Sequence, residues 1–214
     1  MSLFISFEGG EGGGKTTQIN KLADLLTSEG YKVVTTREPG GTAEGDKIRD
    51  FIVQREGGDW SAMAEALLVL TARTMHVERV LKPALEEGKV VITDRFSDST
   101  YAYQGYGRGL DLKTLDGLHN NVIGDLKPDL TFILDVDPKE GLSRSERRLA
   151  SEQLGVDQTE DRFERLEVEF HEKIRNGFLE IAANEPERCV VIDASQSIED
   201  IAEQIKARVL EKLG

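Results

Sequence analysis

An α/β fold, with five parallel strands in one sheet and helices on both of its faces, is what this sequence predicts. Two observations predict it. Short apolar runs recur at residues 3–7, 32–36, 90–93, 130–134 and 189–192, with helical periodicity between them. Parallel strands need crossover connections, and helices supply them while covering the sheet. The first run then ends in Phe7-Glu8-Gly9-Gly10-Glu11-Gly12-Gly13-Gly14-Lys15-Thr16-Thr17, which fits the pattern Gly, four residues, Gly-Lys-Thr between a strand and a helix. That combination narrows the prediction to the P-loop NTPase type.

Taken in order, the first helix is read from residues 18–26, which place Ile19, Leu22, Ala23 and Leu26 on one face. Residues 61–87 carry helical periodicity too, with a kink or restart expected at Pro83. Residues 143–164 change to arginine, glutamate and glutamine with few large apolar side chains, the composition of a solvated, mobile excursion; residues 143–160 are a candidate lid. Cys189, in Cys189-Val190-Val191-Ile192, reads as a thiol buried in the last strand. The closing helix places Ile201, Ile205, Val209 and Leu213 on one face, with Ser197 and Asp200 spaced to cap its start. Nothing repeats internally, and the 214 residues are expected to form a single domain, residues 1–214.

The charge balance excludes several partners. With 27 Lys and Arg against 40 Asp and Glu, the formal net charge is −13, so a polyanion such as nucleic acid is repelled by the average surface. A small phosphorylated ligand is not, because a few arginines and backbone N–H groups can gather in one cleft. His76, His119 and His171 lack the paired spacing of a metal site. The N-terminus has no basic region followed by a long apolar one, so neither a signal peptide nor a membrane span is expected, and a cytoplasmic enzyme is.

Each residue type in the glycine-rich segment has a chemical use. Gly9, Gly10, Gly12, Gly13 and Gly14 let the backbone turn its N–H groups around phosphate oxygens. Lys15 reaches the bridging region, Thr16 offers a hydroxyl to Mg²⁺, and Thr17 belongs to the same nucleotide-binding set. No Asn-Lys-x-Asp segment follows late in the chain, which speaks against a guanine-specific switch. Asp94, at the end of the third strand, is placed like the acidic residue that orders Mg²⁺ beside such a loop. Arg95 beside it can bridge donor and acceptor phosphates, or alternatively form a surface ion pair.

The turn Thr36-Arg37-Glu38-Pro39-Gly40-Gly41-Thr42, the run from Asp94 through Ala102-Tyr103-Gln104-Gly105, and Asp161-Arg162-Phe163-Glu164 join the phosphate loop to make four ordered motifs. With them the whole chain resembles the thymidylate kinase family, in the bacterial form whose lid carries arginines. The resemblance implies transfer of the ATP γ-phosphoryl group to the 5′-phosphate of dTMP, giving dTDP and ADP in dTTP synthesis. ATP and Mg²⁺ are the implied cofactors, and a homodimer is implied, with Ala62, Ala66, Val69 and Leu70 as candidate interface residues.

The resemblance also implies roles for single residues. Arg73 grips the acceptor's 5′-phosphate with a bidentate fork, Glu11 approaches the sugar 3′-hydroxyl, and Arg49 and Pro39 border the base. Thr100 and Gln104 hydrogen-bond near the base, Tyr103 closes off the 2′ side, and Glu38 and Ser99 belong to the same acceptor site. Lys15, Arg95, Arg147 and Arg148 neutralise the transferring group, with Arg144 beside the adenine near Asp193-Ala194-Ser195-Gln196. A solvated helix pairing Arg147 or Arg148 with Glu146 and Glu152 is the alternative for the lid arginines. Where the family commonly has an aromatic residue to stack on thymine, this sequence has Val69, so a kinase preferring dUMP or a 5-modified dUMP is the alternative substrate reading. Alternatively, Phe96 or another aromatic residue fills the space.

Overall fold

In the computed structural model, which describes residues 2–54, 58–152 and 160–214, five parallel strands form one sheet in the order β2-β3-β1-β4-β5. They are β1 (Leu3–Glu8), β2 (Val33–Arg37), β3 (Val90–Asp94), β4 (Leu130–Asp135) and β5 (Cys189–Asp193). The register pairs Phe7 with Asp94 on one side of β1 and with Phe132 on the other. The chain therefore leaves the carboxyl ends of the three central strands side by side, where ligands of open α/β sheets bind.

Alternation along β1 divides the interior. Leu3, Ile5 and Phe7 pack against Ile19, Leu22 and Leu26 of α1 (Lys15–Ser28) and Ile201, Ile205 and Val209 of α9 (Ile198–Leu213). On the opposite face Phe4 meets Val77, Leu81 and Phe96, while Ile133 and Cys189 meet Val69, Tyr103, Ile174 and Phe178. A period of two on the strands and 3.6 on the helices is what makes these faces meet. Ser197 Oγ accepts from the Asp200 N–H at 3.1 Å and caps α9.

The second and third helices, α2 (Ala43–Val53) and α3 (Ala62–His76), are capped by Thr42 and Ser61. A π turn over Val77–Leu81 continues α3 into α4 (Lys82–Glu86), with Pro83 in the first turn of α4. Proline has no N–H to donate, and the helix widens into the π turn just before it, so it restarts where the sequence indicated. After β3 come a short α5 (Ser97–Thr100), a second π segment over Tyr101–Gly107, and α6 (Leu112–Ile123).

Residues 143–164 are less of an excursion than composition suggested. Helix α7 (Pro138–Glu152) occupies most of the candidate lid, and Ser145, Asp161 and Phe163 are buried. Small or aromatic side chains among the polar ones anchor both ends of the segment against α8 (Val168–Asn184) and α2. Residues 153–159 of the predicted lid lie outside the described residues. No described helix is long and apolar enough to cross a membrane.

Candidate active site

Lys15, 9% exposed, opens α1, its ammonium donating to Gly9 O at 3.2 Å and Gly10 O at 3.0 Å. Gly9 O also accepts from Arg95 Nη1 at 3.0 Å. The loop thus holds two cations by its own carbonyls. Burial lowers the Lys15 pKa, with the Arg95 charge acting in the same direction. Gly10, Gly13 and Gly14 complete the turn, and Thr16 and Thr17 stand exposed in the first turn of α1.

Arg95 has φ +68°, a left-handed conformation no other described non-glycine residue adopts, costing of order 1–3 kcal/mol. Its surroundings hold it there. The guanidinium donates through Nη1 to Ser99 Oγ (3.2 Å) and through Nη2 to Glu11 Oε1 (2.9 Å) and Tyr103 Oη (2.9 Å). It lies 4.9 Å from the Tyr103 ring centroid. Tyr103 in turn donates to Glu11 Oε1 at 2.5 Å. Burial works against ionisation of Glu11, but Arg95, Lys15 and the tyrosine hydroxyl outweigh it and hold this carboxyl at about 2.

Behind this cluster sits Glu8, fully buried, accepting from Phe96 N at 2.7 Å and Ser99 Oγ at 2.5 Å. Burial, reinforced by the nearby Asp98 charge, raises its pKa to about 8.

A cleft of about 730 Å³, counting its open mouth, extends from this cluster along α3. It is lined by Glu11, Glu38, Pro39, Arg49, Val69, Arg73, Arg95, Ser99, Thr100, Tyr103 and Gln104, together with Phe96, Arg148, Glu160, Phe163 and Glu164. Every acceptor-side residue assigned from the sequence therefore faces one space.

Two assignments gain detail. Arg73 is 1% exposed, with Nε on Glu38 Oε2 (2.6 Å) and Nη2 on Phe96 O (2.9 Å). Nη1 is left without a partner among the described residues, and each terminal nitrogen carries two N–H groups, so donors remain at that end of the guanidinium for an acceptor in the cleft. Glu38 lines the cleft, but its oxygens are taken by Arg73 and by His76 Nδ1 at 2.8 Å. It orients Arg73. Arg49 donates to Pro39 O at 3.3 Å and to Glu160 Oε2 at 2.7 Å, tying α2 to the end of the candidate lid. Val69 is 7% exposed on the cleft wall, and Phe96 and Phe163 supply aromatic surface in the same space.

The lid arginines separate. Arg144 Nη1 donates to Ala194 O at 3.0 Å, beside the turn after β5, and Arg148 lines the cleft. Arg147 does neither: it is exposed and its Nε bonds back to Ser143 O at 3.1 Å. Arg147 and Arg148 are successive residues, about 100° apart around the helix, so their side chains leave it in different directions. The helix is brought close by glycine. A Cβ on Gly12 (φ +66°) would lie 2.0 Å from Gly141 O, and one on Gly141 would lie 2.3 Å from Glu11 O. The loop position therefore has no room for a basic side chain while α7 rests on it.

A divalent cation has fitting donors. Asp94 Oδ1 is buried without a hydrogen-bond partner among the described residues, at the strand end that adjoins the loop. Mg²⁺ is commonly held by one or two protein groups and otherwise by phosphate and water.

Comparison with known proteins bears on this geometry directly. Residues 7–205 match the family model described as thymidylate kinase. The chain belongs to the thymidylate kinase family. A thymidylate kinase of Pelobacter propionicus is 46% identical over 211 residues, covering 99% of this chain and 95% of the relative. One from Caulobacter vibrioides is 45% identical over 214 residues, covering 100% and 99%. The crystal structure of thymidylate kinase from Ehrlichia chaffeensis superposes with a TM-score of 0.75 at 38% identity, covering 98% of each chain. This is accordingly an ATP-dependent thymidylate kinase with the P-loop NTPase-type α/β fold.

Sequence reading missed four carboxylates of this thymidylate kinase site: Glu8, Glu65, Glu160 and Glu164. Glu164, from the Asp-Arg-Phe-Glu motif, accepts from Ser145 Oγ at 3.2 Å, and burial followed by the Glu11 charge raises its pKa to about 7. The motif itself was the available signal for Glu164. For the other three, partners 39 to 111 residues away leave no local mark.

Proposed function

We propose that this kinase transfers the γ-phosphoryl group of ATP to the 5′-phosphate of dTMP, giving dTDP and ADP, with the sheet, cleft and lid working as one domain. The observation that carries the reading is the junction of the acceptor cleft with the phosphate loop at Arg95, whose guanidinium touches both Gly9 O and the cleft residues Glu11 and Tyr103. A group so placed can contact donor and acceptor phosphates together, and bringing two reactants into line is worth several kcal/mol in such transfers.

Lys15 and Arg95 neutralise the transferring oxygens, and Arg148 adds charge from the lid side. Thr16 and Asp94 are the residues to hold Mg²⁺, which when bound supplies neutralisation of phosphate charge. No general base is required, because a phosphate monoester with a second pKa near 6 is already largely anionic at neutral pH. Glu11, held low, stays an acceptor suited to a sugar hydroxyl. Arg73 and Gln104 both line the cleft, and Arg73 Nη1 (a donor) and Gln104 Oε1 (an acceptor) have no partners among the described residues, a pair complementary to the carbonyl and N–H of thymine.

A second reading, preference for dUMP or a 5-modified dUMP, is favoured by aliphatic Val69 on the cleft wall. A coupled ADP-release assay with MgATP and dTMP, dUMP, 5-hydroxymethyl-dUMP or the 2′-hydroxyl analogue of dTMP tests both. A clear preference for dTMP supports the first reading; preference for another uracil nucleotide replaces it with the second; turnover that no acceptor stimulates overturns both.

We also infer a homodimer through the outer face of α3. Of the interface residues named from the sequence, Ala62 is half-buried and stays a candidate, while Ala66, Val69 and Leu70 are buried within the monomer; Met63 (37% exposed) and Leu67 (46%) are apolar and outward on that helix.

A further inference from the structure

Glu65 lies on α3, wholly buried, and touches no ligand-facing space of its own. One carboxylate oxygen accepts from Gln104 Nε2 at 2.8 Å; the other accepts from Arg162 Nη1 at 2.8 Å and Arg108 Nη2 at 3.4 Å. Two guanidinium groups donate to this carboxylate and fix it in place. Held by those donors, it presents oxygen lone pairs to the amide, so the NH₂ end of the Gln104 amide turns toward it. The amide oxygen must then point the other way. Gln104 lines the cleft beside Val69 and Thr100, and its Oε1 has no partner among the described residues and is not sealed from solvent.

We propose that Glu65 is a specificity-determining positioning residue: by locking the Gln104 amide with its oxygen toward the cleft, it selects acceptors whose pyrimidine ring carries an N–H at position 3. This inference rests on reading the cleft as the nucleoside monophosphate site. A uracil-type imide donates N3–H to that oxygen, whereas the cytosine N3 is itself an acceptor and meets it lone pair to lone pair. The 5-substituent is read elsewhere, so the lock separates imide bases from cytosine without separating thymine from uracil.

Glu65→Gln removes the acceptor-only character. The new amide keeps its oxygen on Arg162 and Arg108 and offers N–H to Gln104, which then flips and presents N–H to the cleft. The experiment measures kcat/KM with MgATP for dTMP and dCMP in the wild type, Glu65→Gln, Gln104→Ala and the double variant. The dTMP-to-dCMP ratio is expected to fall at least about 10-fold in each single variant, the scale of leaving a buried polar group unmatched. The double variant is expected to be no worse than Gln104→Ala alone, because Glu65 acts through Gln104.

Loss of activity on both acceptors in equal proportion, with the ratio kept in Glu65→Gln, marks a purely structural residue and overturns the proposal. Should that variant not fold, Glu65→Asp, which keeps a carboxylate there, is expected to retain the ratio while Gln104→Ala loses it. A ratio lost in Glu65→Asp, or kept in Gln104→Ala, overturns the proposal. A wild-type enzyme inert toward every pyrimidine monophosphate overturns the functional reading itself, an outcome distinct from dTMP turnover with unchanged ratios.

Discussion

Replacing Gly141 by alanine adds one methyl group at the point where α7 rests on the phosphate loop. The new Cβ would lie 2.3 Å from Glu11 O and 3.1 Å from Val136 Cγ1, where real Cβ atoms essentially never come nearer than 3.0 Å. The first contact is with backbone, which no rotamer change relieves, so α7 must retreat by about 0.7 Å at that end. Arg144 and Arg148 ride on the same helix, one and two turns further along. A displacement approaching 1 Å in groups that position a transferring phosphoryl costs up to about 100-fold, while alanine itself favours the helix by up to ~1 kcal/mol over glycine. The expected outcome is a kcat for ADP formation lowered 10- to 100-fold at saturating MgATP and dTMP, with the thermal midpoint changed by only a few degrees. Steady-state kinetics alongside thermal denaturation separate the two. A Gly141→Ala enzyme with wild-type kcat would refute the reasoning, since α7 would then not need to touch the loop for its arginines to act.

Other predictions address neighbouring links. Arg95→Lys keeps the charge but replaces a fork contacting Gly9 O, Ser99, Glu11 and Tyr103 with a point donor; kcat/KM for dTMP is expected to fall about 100-fold or more, and rates within 5-fold of wild type would contradict the bridging role. Glu8 binds its proton up to pH about 8 in the fold, against 4.5 when unfolded, so the native state holds more protons across that window and wild-type stability falls as pH rises through it. Glu8→Gln keeps acceptors for Phe96 N and removes the titration. Its stability relative to wild type is expected to rise by a few kcal/mol, roughly, between pH 5 and pH 8 in urea denaturation, and a pH-independent difference would refute this. Leu67→Asp alters an exposed side chain whose loss costs a monomer under about 0.5 kcal/mol; sedimentation is expected to shift from dimer to monomer, and an unchanged mass would exclude this face as the interface.

What the sequence by itself determined is whatever depends on a short stretch of chain. The five strands are legible because buried parallel strands are continuous apolar runs, and the phosphate loop because seven or eight successive residues carry its whole geometry. The acceptor residues were legible through ordered motifs, and the structure gathers all of them around one cleft. Tertiary structure decided everything that depends on which side of a helix meets which neighbour. Arg147 and Arg148 are adjacent in sequence, yet one bonds back along its own helix and the other lines the cleft. Ala66, Val69 and Leu70 read equally well as interface or core until packing buried them. The partners of Arg73, Glu38 35 residues earlier and Phe96 O, leave no mark on the chain around it. Glu65 looks from the sequence like an ordinary first-turn glutamate of α3; Gln104, Arg108 and Arg162 converge on it only in three dimensions, because hydrogen-bond partners so far apart along the chain leave no periodicity to read.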